Sequence, residues 1–508
     1  MDDLSRRNLL KVTAAGAGAV VLPGAVAGGA LGTAASASGA SSSPGTPSET
    51  AGSEKSPPAR LTGRIVRPQD PGYASASLGW DELFVHYPLV IVFAQETQDV
   101  VNALTWSRQN NIALRVRSGR HQLEGWSNVD NGIVIDVSEL KSARIDAASL
   151  TATVGAGLSQ LEAVTTLAKQ DLAVTTGSEG SVGLSGATLG GGFGFLTRYL
   201  GMACDSLMAA EIVVASGAGR ATAINVDVQN NPDLLWALRG AGNGNFGIVT
   251  SLTYKVARLK SVAYLQATWD GLGDLNGIFS TWQRTAPFTT SRLTSQLEIH
   301  KPQILLMAAL VNGSQAQAKK LLAPILSVGK PKVSVQVGNW GDIYAGFQIP
   351  TQQDPANWKF FSQFITEPFP PRAISLIRSF MQNAPTDDSN YFTNAFGGAV
   401  KTSQPRGGTA FAHRDALYYA EPGAGWGTRG QPRSGDAITP KAQAWIAEFS
   451  QALRPYVNGA YVNVPNIAMA DWPTAYWGSN VSRLRKIKAK YDPYNVFQYE
   501  QSIPPASG

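Results

Sequence analysis

The sequence predicts an α+β fold, and three features of the chain carry that prediction. Short apolar runs at residues 90–93 and 133–137 are typical of buried strands, and a helical pattern of apolar residues lies between them. A segment dense in glycine, residues 177–194, follows this region. Residues 260–460 then carry further strand and helix patterns, which predict a second α+β unit with an antiparallel sheet.

The composition predicts a folded protein and disfavours several function classes. The 508 residues are 44% hydrophobic and 15% charged, which is enough for a large buried core. The net charge of +6 comes from scattered Lys and Arg residues, so we expect no nucleic-acid partner. The single cysteine, Cys204, excludes an internal disulfide bond. The four histidines (His86, His121, His300 and His413) lie far apart in the chain, so we expect no metal site.

Residues 1–37 predict an export signal of the twin-arginine type. Arg6 and Arg7 precede a weakly hydrophobic stretch, and residues 35–37 offer small side chains for cleavage. An uncleaved membrane anchor is the alternative, although the many Gly and Ala residues disfavour a stable spanning helix. Residues 38–58 are rich in Ser, Pro and Gly, which predicts a disordered linker. We therefore expect a protein that is secreted or held in the cell envelope, without a membrane partner after cleavage.

The elements that follow predict a turn of small residues directly after a strand. We expect strands at residues 90–93, 114–117, 133–137 and 152–155. Thr97 caps the expected helix, whose apolar positions begin at Val100. The turn after the second strand is Ser-Gly-Arg-His-Gln, residues 118–122. Because Gly119 lets the backbone approach closely, successive amide groups there can face a diphosphate. The alternative is that His121 is an ordinary surface or core residue.

The glycine-rich segment predicts an ordered loop rather than a regular element. It has eight glycines between Gly177 and Gly194, and each costs a helix or strand about 0.5–1 kcal/mol relative to alanine. A flexible linker is the alternative, but Val182, Leu189 and Phe193 provide apolar anchors for a loop against a flat ligand. The segment is neither a Walker loop nor a GxGxxG turn that opens a βαβ unit.

Residues 260–460 predict a second unit with neighbouring strands. Residues 295–300 alternate in polarity, and residues 304–310 form an apolar run, as expected of two paired strands. Residues 316–326 predict a helix, and residues 411–419 predict a further strand.

Several motifs in this order resemble one family of flavoproteins. The motifs are SGRH at 118–121, GSEGSVGLSGATLGGGFG at 177–194, DLLWALRGAG at 233–242, NFGIVT at 245–250, YWGSN at 476–480 and YDPYNVF at 491–497. The chain therefore resembles the vanillyl-alcohol oxidase and p-cresol methylhydroxylase superfamily, and in particular its berberine-bridge-enzyme-like branch. The resemblance implies a two-part FAD-binding domain of the p-cresol methylhydroxylase type. We expect that domain at residues 59–258, a substrate cap at 259–460, and a C-terminal segment at 461–508 that returns to the flavin domain.

The resemblance also implies which residues contact FAD. His121 matches the histidine that carries a covalent bond to the 8-methyl group of the flavin. Glu179 stands where many relatives have a second, cysteine tether, so we expect FAD to be held through His121 only, with non-covalent binding as the alternative. Arg120 either neutralises the diphosphate or points to solvent. The expected FAD contacts are Ser118, Gly119, Arg120, His121, Gln122, Ser181, Gly183, Ser185, Gly186, Gly247, Ile248, Val249 and Asn480.

The chemistry that the resemblance implies is oxidation of a CH–OH group by hydride transfer to FAD. Such a step needs a general base, since the hydroxyl proton must also leave. Tyr476 is the first candidate, because it matches a tyrosine of the family's YYGxN motif. Tyr418, Tyr419 and His413 are further candidates, with ordinary strand residues as the alternative.

Three functions are compatible with this pattern. The first is an oxidase of a small molecule, a sugar, oligosaccharide or secondary metabolite, that gives hydrogen peroxide from oxygen. The second is a dehydrogenase that uses a quinone or another acceptor, and the third is a non-catalytic secreted binding protein on the same scaffold. The pattern identifies neither a particular substrate nor an oligomeric state.

Overall fold

The structure, a computed structural model, describes residues 59–217, 219–348, 354, 356–428 and 436–506. The predicted export signal, residues 1–37, and the predicted linker, residues 38–58, lie outside the described residues. Within those described ranges, no helix combines the length and the apolar character needed to cross a membrane.

The described strands are short in the first half of the chain and longer in the second. In chain order they are β1 (Arg64–Val66), β2 (Val90–Phe93), β3 (Leu114–Arg117), β4 (Ile133–Asp136), β5 (Ala143–Asp146), β6 (Thr151–Gly155), β7 (Leu172–Ala173), β8 (Leu207–Ala215), β9 (Ala221–Val226), β10 (Ile248–Lys255), β11 (Ala257–Arg258), β12 (Val262–Asp270), β13 (Leu293–His300), β14 (Gln303–Val311), β15 (Lys332–Gly338), β16 (Asn357–Phe360), β17 (Gln363–Ile365), β18 (Asn390–Ala395) and β19 (Tyr418–Trp426).

The helices lie between these strands and at the C-terminus. In chain order they are α1 (Tyr73–Ser77), α2 (Thr97–Gln109), α3 (Gln160–Ala168), α4 (Leu184–Leu189), α5 (Thr197–Leu200), α6 (Pro232–Ala241), α7 (Leu275–Thr285), α8 (Gln315–Leu326), α9 (Trp340–Gly346), α10 (Pro371–Gln382), α11 (Ala399–Thr402), α12 (Thr439–Leu453), α13 (Trp472–Trp477) and α14 (Val481–Tyr491), with short 3-10 turns at Ala203–Ser206, Arg454–Tyr456 and Gly478–Asn480.

The first half of the chain forms two main sheets. One has the order β1-β2-β4-β3, in which β2, β4 and β3 are parallel, and the other is antiparallel with the order β5-β6-β10-β8-β9. Strands β2 and β4 are buried along their whole length, as expected of strands covered on both faces. One apolar core joins these sheets to helices α2, α3 and α6 and to the C-terminal helices α13 and α14.

The second half forms one eight-stranded antiparallel sheet, which we call the cap sheet. Its order is β15-β12-β14-β13-β18-β19-β16, with β17 also paired to β19. Successive side chains of a strand point to opposite faces. One face packs against α7, α10 and α12 through an apolar core. The opposite face, which we call the polar face, carries Gln296 opposite Asn394 and Asn394 opposite Tyr419, and beside that row Glu298, Phe392 and Glu421.

The predicted α+β class is confirmed, and most of the predicted elements are present. Strands near 90–93, 114–117, 133–137, 152–155, 295–300 and 304–310 and the helix near 316–326 lie where the sequence places them. Two details are wrong. The cap of α2 is Glu96, whose carboxylate forms a capping box with Asp99, because Glu96 rather than Thr97 has the extended backbone. Strand β19 begins at Tyr418, since the amides of Ala410 and Phe411 bond the carbonyl of Arg239 instead of a strand.

The domain boundaries stay predictions, although the C-terminal segment does meet the glycine-rich segment. Residues 59–508 form one compact unit. The Tyr461 hydroxyl accepts the amide of Gly192 at 2.7 Å, and the Asn463 amide donates to the Ala187 carbonyl at 2.9 Å. Further along, the buried Lys488 ammonium donates to the Asn245 carbonyl at 2.7 Å.

Arg198, on α5 directly after the glycine-rich segment, is hydrogen-bonded to the cap sheet and the loop before β13. Its buried guanidinium donates to carbonyl oxygens of one loop and the strands around it, and burial lowers the pKa of Arg198 to about 10. The acceptors are the carbonyls of Pro287, Thr289, Thr290, Leu293 and Phe396. A planar group with five donors suits such a cluster of acceptors better than a lysine would.

We expect Arg198→Met to lower the free energy of unfolding by at least about 3 kcal/mol, because each buried carbonyl left unpaired costs about 1–3 kcal/mol. The measurement is the urea unfolding midpoint of the purified protein, followed by circular dichroism. Arg372→Met is the matched control, since Arg372 is exposed on α10. Equal midpoints for the two variants would contradict this role of Arg198.

Candidate active site

Two turns touch each other through glycine backbones. The first, residues 118–121, follows β3, and the second, residues 181–183, precedes α4. A Cβ atom added at Gly119 would lie 2.1 Å from the amide nitrogen of Gly183. A Cβ atom added at Gly183 would lie 2.6 Å from the Ser118 hydroxyl. Both distances are far below van der Waals contact, so this approach requires glycine on both sides.

Serine hydroxyls anchor the two turns to a third element. The hydroxyl of Ser118 donates to the carbonyl of Ala156 at 2.9 Å, and that of Ser185 donates to the same carbonyl at 2.8 Å. Ala156 directly follows β6. The end of β6 therefore sets the separation of the two turns.

His121 lies between the turns and is held on two sides. Its Nε2 atom is 2.9 Å from the hydroxyl of Ser181, which donates to a carboxylate oxygen of Glu179 at 2.8 Å. The imidazole also stacks on the indole of Trp80, with 5.1 Å between ring centroids. His121 is half-buried.

Comparison with known proteins shows the family to which the chain belongs. The FAD binding domain family matches residues 88–221, and the berberine and berberine-like family matches residues 460–504. The FAD-linked oxidoreductase YgaK of Bacillus subtilis, named as uncharacterized, is 40% identical over 449 residues, which cover 88% of this chain and 98% of that protein. The chain belongs to the berberine-bridge-enzyme-like family of FAD-linked oxidoreductases.

Two further proteins show how wide this family is. (R)-6-Hydroxynicotine oxidase of Paenarthrobacter nicotinovorans is 27% identical over 474 residues, covering 88% of this chain and 98% of that enzyme. The structure of BBE-like 1 from Physcomitrella patens has a TM-score of 0.80 and 25% identity, covering 88% of this chain and 97% of that one. The predicted superfamily and its FAD-binding fold are therefore confirmed.

The two turns of this family member fit FAD. Gly186 is exposed on α4, and a Cβ atom there would meet nothing within 4 Å. Ser118, Gly119, His121 and Ser181 are half-buried beside the contact of the two turns. This leaves an open strip of backbone and small side chains, which is what a long phosphate-containing cofactor requires.

Other residues expected to contact FAD have their side chains occupied elsewhere. The side-chain oxygen of Gln122 accepts the amides of Glu124 and Trp126, both at 2.8 Å, and so shapes its own turn. Asn480 donates its amide to the carbonyl of Ala410 at 3.0 Å. These two side chains therefore support neighbouring backbone in the structure.

Arg120 and the first residues of β10, which were also expected to contact FAD, have contacts elsewhere in the protein. Arg120 is exposed and donates to the Ser75 carbonyl at 3.2 Å, while its backbone adopts a left-handed φ of 64°. Gly247 packs closely on β8, since a Cβ atom there would lie 2.6 Å from the Val213 carbonyl. Ile248 and Val249 are buried in the same ladder, so only backbone or edge contacts with FAD are open to them.

The polar face of the cap sheet lies against the glycine-rich segment. Gln296 donates to the Ser178 hydroxyl and to the Asn394 side chain, both at 2.9 Å. Phe193 packs against Tyr419 with 4.6 Å between ring centroids. This face therefore forms the other wall of the site.

Tyr419 and Glu421 form a hydrogen-bonded pair on this wall. Two residues apart on β19, they point to the same face, and the Tyr419 hydroxyl donates to the Glu421 carboxylate. Burial, followed by the nearby Glu421, raises the pKa of Tyr419 well above 10. Tyr419 thus keeps its proton, while Glu421 is half-buried. Glu421 is absent from the sequence-based candidates, although a lone carboxylate within an otherwise apolar strand was a visible signal.

Two of the predicted bases, Tyr476 and Tyr418, have hydrogen-bond partners away from this wall. Tyr476 donates to the Gln501 side chain at 2.6 Å and accepts the Asn466 amide at 3.1 Å, within the C-terminal segment. Burial raises the pKa of Tyr476. Tyr418 lies on the apolar face of the cap sheet and donates to Gln283 of α7 at 3.1 Å. Both hydroxyls thus have structural partners, and the role of either tyrosine as the base stays a prediction.

His413 also belongs to the packing of the C-terminal segment. Its ring stacks on Phe364 at 3.9 Å, and its Nε2 atom lies 3.1 Å from the carbonyl of Tyr476. Burial lowers the pKa of His413 to about 4, so the ring is neutral near pH 7 and has a structural partner. No cluster of three or more His, Cys, Asp or Glu side chains suited to a metal occurs within the part of the chain that the structure describes.

We expect Gly119→Ala to abolish flavin retention, because the added methyl group would separate the two turns. The measurement is the ratio of flavin to protein absorbance after gel filtration. Gly217→Ala is the matched control, since a Cβ atom at Gly217 meets nothing within 4 Å. A fully flavinylated Gly119→Ala protein would show that the contact is unnecessary for the cofactor.

Proposed function

We propose that the protein is an FAD-dependent oxidase of an alcohol or hemiacetal carbon. Its substrate is a sugar, oligosaccharide or secondary metabolite, and dioxygen takes the electrons to give hydrogen peroxide. The observation that carries this proposal is the Tyr419–Glu421 pair on the wall opposite the flavin-binding turns. The relative named (R)-6-hydroxynicotine oxidase supports an oxidase rather than a binding protein.

The pair suits the proton transfer that such an oxidation requires. FAD, when bound, accepts a hydride from a substrate carbon. The hydroxyl on that carbon must then lose its proton, and the Glu421 carboxylate is the acceptor on this wall. Tyr419 donates its own hydroxyl to Glu421 and so orients the carboxylate toward the site.

The other polar groups of this face fix its shape. Gln296, Asn394 and Glu298 are buried and hydrogen-bonded within the protein, so they hold the strands of this wall in register. Phe392 lies between Glu298 and Glu421 in the same row and offers an apolar surface to a ring. A site of this kind orients its ligand through a few polar groups around an apolar patch.

The cofactor tether and the export route belong to the same proposal. His121, half-buried beside the contact of the two turns, is the residue through which we propose that FAD is covalently held. A tether prevents loss of the cofactor outside the cell. We propose that the chain is exported by the twin-arginine route to the cell envelope or beyond. Because this route carries folded proteins, FAD can bind before export.

We expect Glu421→Gln to lower kcat by about 10²–10⁴-fold, the usual contribution of a general base, with little change in flavin content. The measurement is steady-state oxidation of a substrate found by screening. Glu448→Gln is the control, because Glu448 is exposed on α12. An unchanged kcat for Glu421→Gln would remove Glu421 as the base.

We expect the purified protein to bleach without oxygen when a sugar or alcohol substrate is added. Air should then restore the flavin colour with release of one hydrogen peroxide per substrate. The measurement combines anaerobic absorbance spectra with a peroxidase-coupled assay. Bleaching that only a quinone reverses would instead identify a dehydrogenase.

A further inference from the structure

A chain of two hydrogen bonds connects the proposed tether residue to a carboxylate. It runs from His121 Nε2 to the Ser181 hydroxyl at 2.9 Å and from that hydroxyl to Glu179 at 2.8 Å. The same Glu179 oxygen is 3.5 Å from the amide nitrogen of Ser181. The Trp80 ring holds the plane of the imidazole, so the chain has one defined geometry.

The carboxylate gives this chain a direction. An ionised carboxylate only accepts hydrogen bonds, so the single hydroxyl proton of Ser181 is donated to Glu179. The oxygen of Ser181 then accepts a hydrogen bond, and its partner is the N–H group at His121 Nε2. In a neutral imidazole with its proton on Nε2, the ring's lone pair is on Nδ1. These two hydrogen bonds therefore make Nδ1 of His121 the nucleophilic nitrogen.

We propose that Glu179, acting through Ser181, selects this tautomer of His121 and receives its proton when the bond to FAD forms. This inference rests on the proposed tether at His121. Glu179 and Ser181 are positioning residues for that bond and have no part in turnover of the substrate.

The bond formation balances with dioxygen as the oxidant. A bond forms between His121 Nδ1 and the 8-methyl carbon of FAD, and one methyl C–H bond breaks. The imidazole loses its Nε2 proton through Ser181 to Glu179. Dioxygen takes up the two electrons of the broken C–H bond, the methyl proton and the proton that Glu179 then releases, and leaves as hydrogen peroxide.

The experiment measures the fraction of flavin that stays with the protein after acid precipitation, as a function of time in air with added FAD. The variants are Glu179→Gln, Glu179→Ala, Ser181→Ala and Ser181→Thr, with His121→Ala as the untethered reference and Glu448→Ala as the exposed control. Non-covalent flavin content is measured on the same samples by gel filtration.

We expect Glu179→Gln, Glu179→Ala and Ser181→Ala to form the tether about 100-fold more slowly than the unchanged protein, as expected when proton transfer loses its acceptor. Ser181→Thr keeps the hydroxyl and should tether at the normal rate. Added formate should restore tethering in Glu179→Ala, because a small carboxylate can occupy the vacated position. A purely structural role of Glu179 would not respond to formate.

The outcomes separate this inference from the proposed tether. If the unchanged protein is tethered and the Glu179 and Ser181 variants tether equally fast, the inference is wrong and the tether stands. If formate fails to restore Glu179→Ala, Glu179 is not the proton acceptor. If the unchanged protein releases all its flavin into acid, the proposed tether is wrong, and this inference falls with it.

Discussion

The contact between the backbones of Gly119 and Gly183 is the constraint on which the site depends. It brings a turn at the end of a parallel strand against a turn at the start of α4, with no side chain between them. Because Ser118 and Ser185 share the carbonyl of Ala156, the same contact ties both turns to the antiparallel sheet. The position of His121 between the turns follows from this arrangement.

Apolar packing and hydrogen bonds together hold the cap sheet over the turns, with Phe193 against Tyr419 and Phe195 against Tyr264. Arg198 binds the carbonyls of one loop and its neighbours, and Gln296 reaches the Ser178 hydroxyl. Hydrogen bonds to a charged group are directional and stronger than neutral ones. These hydrogen bonds therefore help to fix the position of the cap sheet relative to the two turns. The apolar core on the other face of the sheet stabilises the sheet itself.

Much of the fold and part of the site were predictable from sequence, for different physical reasons. Strands such as β2 and β4 are continuous apolar runs, and the glycine-rich segment is unusual enough to indicate a ligand. The proposed base, Glu421, was not predictable by resemblance, because the motif match is to Tyr476, which donates to Gln501 within its own segment. Tyr418 and Tyr419 are adjacent tyrosines, and only the strand register decides which one faces the site.

Two carboxylates in the candidate site each accept a hydrogen bond from a hydroxyl group. Glu421 accepts a hydrogen bond from the Tyr419 hydroxyl on the cap sheet, and Glu179 accepts one from the Ser181 hydroxyl beside the turns. Since a carboxylate only accepts, each hydroxyl has one direction in which to donate. That direction leaves the oxygen of Ser181 to accept from His121. The two proposals thus give the same pair of chemical groups two tasks, one toward the cofactor and one toward the substrate.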